Sequence, residues 1–184
     1  MTGGVSVGQK KLFVDDGDHQ RWLATGANFS KCRLWRWSLW RQWEPESAGR
    51  GFVAFIGLNP STADERVEDP TVRRCLRFAR DWCGCGLVML NAYGLRSTDP
   101  NGLWTVPDPV GSACDREITR WMKRCSVVVC AWGVHCEDQR ARDVLELVRA
   151  TGRQPMCLGV TKSGAPKHPL YLRADSVPVL YSGA

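Results

Sequence analysis

No hydrophobic run in the sequence approaches the roughly 20 residues that a helix needs to cross a bilayer, which excludes a membrane-spanning protein. The first 20 residues also lack the apolar core of a secretory signal peptide. We therefore expect a cytoplasmic protein with no membrane partner. Internal repeats and low-complexity tracts are missing as well.

Cysteine is abundant, but the spacing of a metal site is missing. The nine cysteines are odd in number and scattered, so in a reducing compartment we expect free, buried thiols rather than a disulfide framework. No group of histidines, cysteines and carboxylates has the spacing of a zinc site. The sequence therefore predicts no metal and no cofactor.

Lysine is scarce, and arginine supplies most of the positive charge. Six of the 25 basic residues are lysines, and the net charge is +6. A guanidinium can bind phosphate through two parallel hydrogen bonds, so this balance suits a nucleic-acid or nucleotide partner. Many soluble proteins that never touch nucleic acid are equally basic. Charge alone leaves both interpretations open.

The length suits one domain with a substantial core. The chain has 184 residues, of which 43% are hydrophobic and 24% charged, as in soluble globular proteins. The N-terminal segment is rich in glycine and aspartate without periodicity, so we predict a flexible arm over residues 1–20. Residues 21–184 are expected to form a single α/β domain.

Apolar strands alternate with amphipathic helices from residue 52 onward. In residues 69–82, Asp69 suits a helix N-cap and Pro70 the first helical position. Continuous apolar strands separated by helices indicate a sheet covered on both faces, so we predict a three-layer sandwich with a mostly parallel central sheet. The predicted strands are 52–58, 86–93, 126–133 and 154–161, and the other predicted helices are 114–125 and 137–152.

Arginine and tryptophan interleave in residues 31–43, KCRLWRWSLWRQW. Arg36 lies between Trp35 and Trp37 in an alternating pattern, which predicts an extended strand. Such a strand could offer a stacking surface for bases. The alternative, which we favour, is a strand packed on the core with arginine stems covering it.

Polar residues follow three of the predicted strands. Asn59 comes after the first, Asn91 ends the second, and His168 lies in the loop after the fourth. Ligands of parallel α/β sheets bind beyond the carboxyl ends of the strands, so these side chains are expected to converge. Each also has a plainer interpretation, because Asn59 can close a turn before Pro60 and Asn91 can cap a strand. The histidine can likewise belong to an ordinary loop.

Six segments, in order along the chain, resemble one known family. They are GLNPSTAD, DPTVRR, LNAYGLRSTDP, DPVG at residues 108–111, AWG and GAPKHPLY. Together they cover about residues 33–173 and resemble the domain of unknown function 1643 family, which is found in bacteria and phages.

A more distant likeness is to the uracil-DNA glycosylase superfamily. The turn from Gly57 to Ser61 is similar to its Gly-x-Asn-Pro-Gly turn, and Asn91 ends a strand as an asparagine does there. The segment from His168 to Arg173 is similar to its His-Pro-Ser motif with one residue missing. The likeness implies a uracil-DNA glycosylase-like fold and hydrolysis of the N-glycosidic bond of a base in DNA.

The likeness also implies a role for each matching residue. Asn59 would position a water, Asn91 would read a flipped base, and His168 would stabilise charge on the departing base. Leu170 or Leu172 would fill the gap that the base leaves. The remaining candidates are Pro60, Ser61, Tyr93 and Arg96 at the substrate, and Arg73, Arg74 and Lys167 at the nucleic-acid backbone.

The motifs depart from that superfamily at three points. Ser61 replaces a glycine, which limits how closely the backbone can approach a substrate. The serine that follows His-Pro in the superfamily is absent. Some branches hold an iron–sulfur cluster, but the Cys-x-x-Cys pattern that it requires is missing among Cys75, Cys83, Cys85 and Cys114.

Three functions remain open. The first is a glycosylase-like hydrolase acting on a base in DNA or on a nucleotide, and the second is a nucleic-acid-binding module without catalysis. The third is an enzyme of modified-pyrimidine metabolism. DNA is favoured over RNA as the partner. Arg73 fits the first two functions if it contacts phosphate, but it can equally lie on the exposed face of a helix that Asp69 caps.

Overall fold

A computed structural model describes residues 22–47, 49–64 and 67–183. The described residues form one seven-stranded sheet with helices on both faces. The predicted arm over residues 1–20 lies outside them. The strands are β1 (Ala24–Phe29), β2 (Arg36–Gln42), β3 (Phe52–Gly57), β4 (Gly86–Asn91), β5 (Cys125–Cys130), β6 (Pro155–Cys157) and β7 (Val179–Leu180). The helices are α1 (Pro70–Asp81), α2 (Cys114–Met122) and α3 (Asp138–Ala150), with 3-10 helices at Pro100–Thr105, Gly133–His135 and Pro169–Tyr171.

The sheet is mixed, which corrects the expectation of a mostly parallel one. Its order is β1-β2-β4-β3-β5-β6-β7, and β4, β3, β5 and β6 run parallel to one another. Among the described neighbours three pairs are parallel and three are antiparallel, because β2 and β7 run against the central strands and β1 pairs antiparallel with β2. Periodicity identifies an extended segment, whereas the partner strand decides its direction.

Helix α1 covers one face of the sheet, and α2 and α3 cover the other. Phe55 of β3 stacks on Phe78 of α1 with ring centres 6.3 Å apart. The next residue, Ile56, belongs to the core under α2 and α3. Adjacent side chains of a central strand therefore enter opposite layers, as expected for a sheet buried on both faces. No helix of the described residues is long and apolar enough to span a membrane.

Helix α1 begins where the sequence predicts. The Asp69 side chain accepts a hydrogen bond from the backbone N–H of Val72 at 2.8 Å, and Pro70 is the first helical residue. Val72, Leu76 and other apolar residues of α1 pack against the sheet. Because α1 follows β3 directly in the chain, its start lies at the carboxyl edge of the parallel strands.

The tryptophans in and next to β2 pack into the protein, as the favoured interpretation predicts. Trp37 is buried in the core under α2 and α3. Trp40 packs on Trp121 with ring centres 5.5 Å apart, and Trp43 packs on Trp22 at 6.2 Å. These rings pack against other side chains of the protein and do not form an open surface on which bases could stack.

All nine cysteines are free, and six of them are buried. Burial raises the pKa of Cys114 to about 12 and that of Cys125 to about 12. Such thiols stay protonated at neutral pH and pack as small apolar groups. The expectation of buried thiols is therefore confirmed for Cys75, Cys85, Cys114, Cys125, Cys130 and Cys157.

Candidate functional site at the carboxyl edge

The loops that follow β3 and β4 run side by side at the carboxyl edge. The backbone N–H of Tyr93 donates to the Leu58 carbonyl at 2.9 Å, and that of Ser97 donates to the Pro60 carbonyl at 2.9 Å. These bonds extend the pairing of β3 and β4 beyond the sheet. The polar residues of the two loops are therefore held against each other.

Asn59 ties these two loops together. Its Nδ2 donates to the Pro60 carbonyl at 3.1 Å and to the Ser97 carbonyl at 2.8 Å. A side-chain amide has two N–H groups, so both are used. Only the Oδ1 oxygen remains to accept a hydrogen bond from a ligand or water. Asn59 therefore closes the turn, as its plainer interpretation predicts. Any additional role in binding or catalysis would have to use Oδ1.

Asn91 is buried at the end of β4 with an unpaired amide. It is 3% exposed, and its Nδ2 has no hydrogen-bond partner among the described residues. Met89 packs under α1 and Leu90 under α2 and α3, so strand alternation turns Asn91 towards α1. A buried polar group without a partner is rare in proteins, and it is often explained by a missing ligand or water.

Gly57 leaves open space beside this amide. Gly57 of β3 is the register partner of Asn91. A Cβ atom at position 57 would lie 3.1 Å from Asn91 Oδ1 and 3.9 Å from the Leu90 carbonyl, with no third atom within 4 Å. The glycine therefore keeps room for the Asn91 side chain.

His168 caps the 3-10 helix that begins at Pro169 and is half-buried. Its Nδ1 accepts the backbone N–H of Leu170 at 3.4 Å, so a neutral ring carries its proton on Nε2. Burial lowers the pKa of His168, and the Asp69 carboxylate opposes this effect. The ring is therefore neutral at pH 7 and presents Nε2–H as a hydrogen-bond donor.

Arg36 is a buried cation of this edge, whereas the sequence predicted it only as part of a strand that either stacks bases or packs on the core. It is 2% exposed, and its Nη1 donates to the Ala63 carbonyl at 2.5 Å. Its Nε has no partner among the described residues. Burial lowers the pKa of Arg36 to about 10, against an opposing effect of Asp69, so the side chain stays charged at neutral pH. An arginine inside an alternating tryptophan strand was the only sequence signal for it.

These residues follow one another along the edge in strand order. Arg36 at the start of β2 neighbours the end of β4 with Asn91, and Gly57 of β3 comes next. Strands β5 and β6 follow, and the loop after β6 carries His168. Asp69 interacts electrostatically with both Arg36 and His168, so both lie near the start of α1. We call the region of the carboxyl edge that carries Gly57, Asn91 and His168 the edge cleft.

Arg96 and Ser61 lie at the rim of the edge cleft. Arg96 Nε donates to the Ser61 carbonyl at 3.4 Å, and its Nη1 donates to the Arg33 carbonyl at 3.4 Å. Arg96 and Arg33 also lie over the Phe29 ring, with Cζ at 5.3 and 3.9 Å from the ring centre. The rim therefore combines positive charge with an aromatic ring.

Tyr93 lies on the other side of the sheet, away from the edge cleft. It belongs to the core under α2 and α3, and its hydroxyl donates to Glu137 Oε2 at 3.4 Å. Burial raises the pKa of Tyr93 above its ordinary value. Asn91 and Tyr93 therefore lie on opposite faces of the sheet, which their two-residue spacing did not predict.

The loop after His168 offers one exposed leucine. Leu170 is exposed, whereas Leu172 packs against the core under α1. Arg74 Nη2 donates to the Leu172 carbonyl and so ties this loop to α1. Leu170 is therefore the residue that could enter a base stack, and Leu172 supports the loop.

The three residues predicted to contact the nucleic-acid backbone differ in the contacts that their side chains make. Arg73 is exposed and donates to the Glu68 carbonyl at 2.8 Å, in keeping with the helix-surface interpretation. Arg74 is half-buried, and its Cζ lies 4.7 Å from the centre of the Phe78 ring. Lys167 is exposed, and its backbone N–H donates to the Gly159 carbonyl at 2.9 Å. Lys167 therefore has the freest side chain for a phosphate contact.

Two surface depressions lie at the opposite edge of the sheet. They have volumes of about 410 and 240 Å³ and are lined by residues such as Ser126 and Arg153 near the start of β5 and β6. No predicted site residue lines either of them. Within the described part of the chain, no group of three or more histidine, cysteine or acidic residues could hold a metal ion.

The fold and the edge cleft define an α/β protein that gathers polar loops at the carboxyl ends of parallel strands, where such sheets bind ligands. Residues 36–170 match the family described as Protein of unknown function (DUF1643), and the chain belongs to this family. The first resemblance is therefore confirmed. No curated protein and no solved structure matches the chain. The likeness to uracil-DNA glycosylases stays a prediction.

Proposed function

We propose that the protein binds a nucleobase in the edge cleft and hydrolyses its N-glycosidic bond. The observation that carries the proposal is the buried amide of Asn91, whose Nδ2 is unpaired and whose Oδ1 lies beside Gly57. An amide offers a donor and an acceptor together, which is the complement of the amide edge of a base. A base bound against Asn91 would accept a hydrogen bond from Nδ2 and so offset the free-energy cost of burying that group.

His168 would assist departure of the base. When a glycosidic bond breaks, the bonding electrons leave with the base, which becomes an anion. A neutral imidazole whose Nε2–H is free can donate to the base oxygen that gains this charge. The bond between His168 Nδ1 and Leu170 N–H holds the ring in the required tautomer.

Asn59 would supply the acceptor that orients the attacking water. Its two N–H groups are held by backbone carbonyls, which fixes the direction of Oδ1. The water oxygen forms a bond to the anomeric carbon while the bond between that carbon and the base breaks. The water proton ends on the base. Positioning by a fixed amide loses less freedom than positioning by a mobile one.

The expected result of the direct test is release of a free base. The purified chain is incubated with single- and double-stranded oligonucleotides that carry a panel of normal and modified bases, and the products are analysed by mass. One substrate should yield free base and an abasic site, and His168→Ala should slow this release. Binding to these oligonucleotides without release of any base would contradict the hydrolase.

A nucleic-acid-binding module without catalysis is the second candidate. It is favoured by the Phe29 ring at the rim, over which both Arg33 and Arg96 lie, since aromatic rings and arginines together suit nucleic acid. The complete use of the Asn59 amide hydrogens within the turn also fits a structural role. The two candidates differ in whether a base is released.

Asn59→Ala separates these candidates. Loss of two hydrogen bonds at a half-buried site should lower the free energy of unfolding by about 1–2 kcal/mol. If Oδ1 orients water, base release should fall about a hundredfold, as removal of one positioned polar group commonly does. Thermal melting and turnover are measured on the same preparation, with exposed Asn101→Ala as the control. Full activity of the folded Asn59→Ala protein would make the residue a turn former only.

A further inference from the structure

Arg36 and Arg41 are buried to the same extent on one strand, yet only one of them is paired. Both are 2% exposed. Arg41 Nε forms an ion pair with Glu68 Oε1 at 3.0 Å, and its other nitrogens donate to the carbonyls of Trp40 and Asp64 at 2.9 Å each. Arg41 therefore has the full set of partners expected of a structural buried arginine.

Arg36 lacks such a set. Its single hydrogen bond is to a neutral carbonyl, Ala63 O, and it has no ion-pair partner among the described residues. Asp69 and Asp64 attract it from a distance, while Arg96 and Arg41 repel it. A buried charge without an ion-pair partner destabilises a fold, and a buried polar atom left unpaired can mark the place of a missing ligand.

The unpaired groups at this edge are all donors. Arg36 Nε on β2 and Asn91 Nδ2 on β4 are buried N–H donors without hydrogen-bond partners, and Arg74 Nε on α1 is another. His168 adds its Nε2–H. No buried side-chain oxygen is left unpaired in the part of the chain that the structure describes. A surface that offers donors and a positive charge is complementary to a ligand with several acceptor oxygens and a negative charge.

We propose that Arg36 binds a phosphate oxyanion, namely the phosphate of the nucleotide whose base lies against Asn91. The guanidinium can place Nε and one Nη on two phosphate oxygens, which is the paired geometry that arginine favours. The substrate class is then a nucleotide and not a nucleoside or a free base. The identity of the base-containing ligand rests on the function proposed above, whereas oxyanion binding by Arg36 does not.

The test compares ligands with and without a phosphate group. Inorganic phosphate, the common deoxynucleoside 5′-monophosphates, the matching nucleosides and a short single-stranded oligonucleotide without terminal phosphate are titrated by calorimetry and thermal shift. The 5′-monophosphates should bind at least tenfold more tightly than the nucleosides. Tighter binding of the oligonucleotide than of any monophosphate would identify a backbone phosphate as the source, and the reverse order would identify a free nucleotide.

Arg36→Met should abolish the preference for phosphate and leave the melting temperature of the unliganded protein equal or higher. Arg41→Met is the matched control, and it should melt lower because Glu68 loses its partner, while the phosphate preference remains. Arg36→Lys, which keeps the charge but not the paired geometry, should weaken monophosphate binding severalfold and still fold.

Three results would overturn the inference. The first is a wild-type protein that binds neither phosphate nor monophosphates more tightly than nucleosides. The second is an Arg36→Met protein that melts far below wild type but keeps the phosphate preference. The third is an Arg36→Lys protein with unchanged affinity. Absence of base release with the phosphate preference intact would contradict the hydrolase alone, so the two proposals fail separately.

Discussion

Asn91→Leu should reduce base release by about a thousandfold while the melting temperature stays the same or rises. The activity falls because Leu has neither the donor nor the acceptor that reads a base, and loss of such a group from a closed site is worth about a hundred- to a thousandfold. Stability is kept because the change removes a buried N–H that has no partner. Turnover and thermal melting of the same sample test both parts.

Asn28→Leu is the matched control for this change. Asn28 Nδ2 donates to Glu117 Oε1 at 2.7 Å, on the side of the sheet away from the edge cleft. Loss of this satisfied amide should lower stability and leave base release unchanged in the folded fraction. If Asn91→Leu instead melts well below wild type and keeps its activity, the Asn91 amide is a structural group with an ordered water as its partner.

Glu117→Ala should destabilise the protein by roughly 3 kcal/mol or more, the largest stability loss that we expect from a single charged side chain. Glu117 Oε1 accepts hydrogen bonds from Ser38 Oγ at 2.8 Å and from Trp121 Nε1 at 3.0 Å, both buried, and from Asn28 and Arg120 at 2.7 Å each. Removal of the carboxylate leaves these donors without a partner. Urea unfolding of the variant and of wild type measures the difference.

The Glu117 network should also make stability depend on pH. Burial alone raises the pKa of Glu117, but the hydrogen bonds from Ser38, Asn28 and Arg120 outweigh it, so the pKa lies below the ordinary value of 4.5. The unfolded chain then binds more protons than the folded one near that pH. The Glu117 contribution is complete above 4.5 and is lost as pH falls through the lowered folded value.

Glu117→Gln provides the control for this pH dependence. It keeps an acceptor oxygen but cannot titrate, so it should be less stable than wild type at pH 7 and lose less stability on acidification. Unfolding midpoints of both proteins are compared from pH 7 to pH 3. Equal slopes for the two proteins would assign the acid sensitivity to other carboxyl groups.

Local signals predicted the elements that build the edge cleft. The Asp69-Pro70 start of α1 was readable because a cap and a first-turn proline act on their nearest neighbours in sequence. Strands β3 and β4 were readable because they are short apolar runs buried on both faces. Asn59 and Asn91 stood out because they interrupt such runs at the carboxyl ends.

Long-range pairing decided what local signals could not. Strand β7 has only two residues, and the edge strand β1 has no buried residue in its pattern ATGANF, so neither carried a strong periodic signal. Their antiparallel pairs, together with the antiparallel pair of β2 and β4, made the sheet mixed. A partner strand selects direction and register through hydrogen bonds that join residues far apart in the chain.

For the candidate site, too, local sequence determined some features and long-range packing determined the others. The sequence by itself determined that Asn59, Asn91 and His168 follow apolar strands, since that is a property of neighbouring residues. Only the tertiary structure separated Tyr93 from Asn91 and left Arg36 buried without an ion pair while Arg41, on the same strand, found Glu68. Burial and charge pairing depend on which distant segments pack around a side chain, and the local pattern of β2 is the same for both arginines.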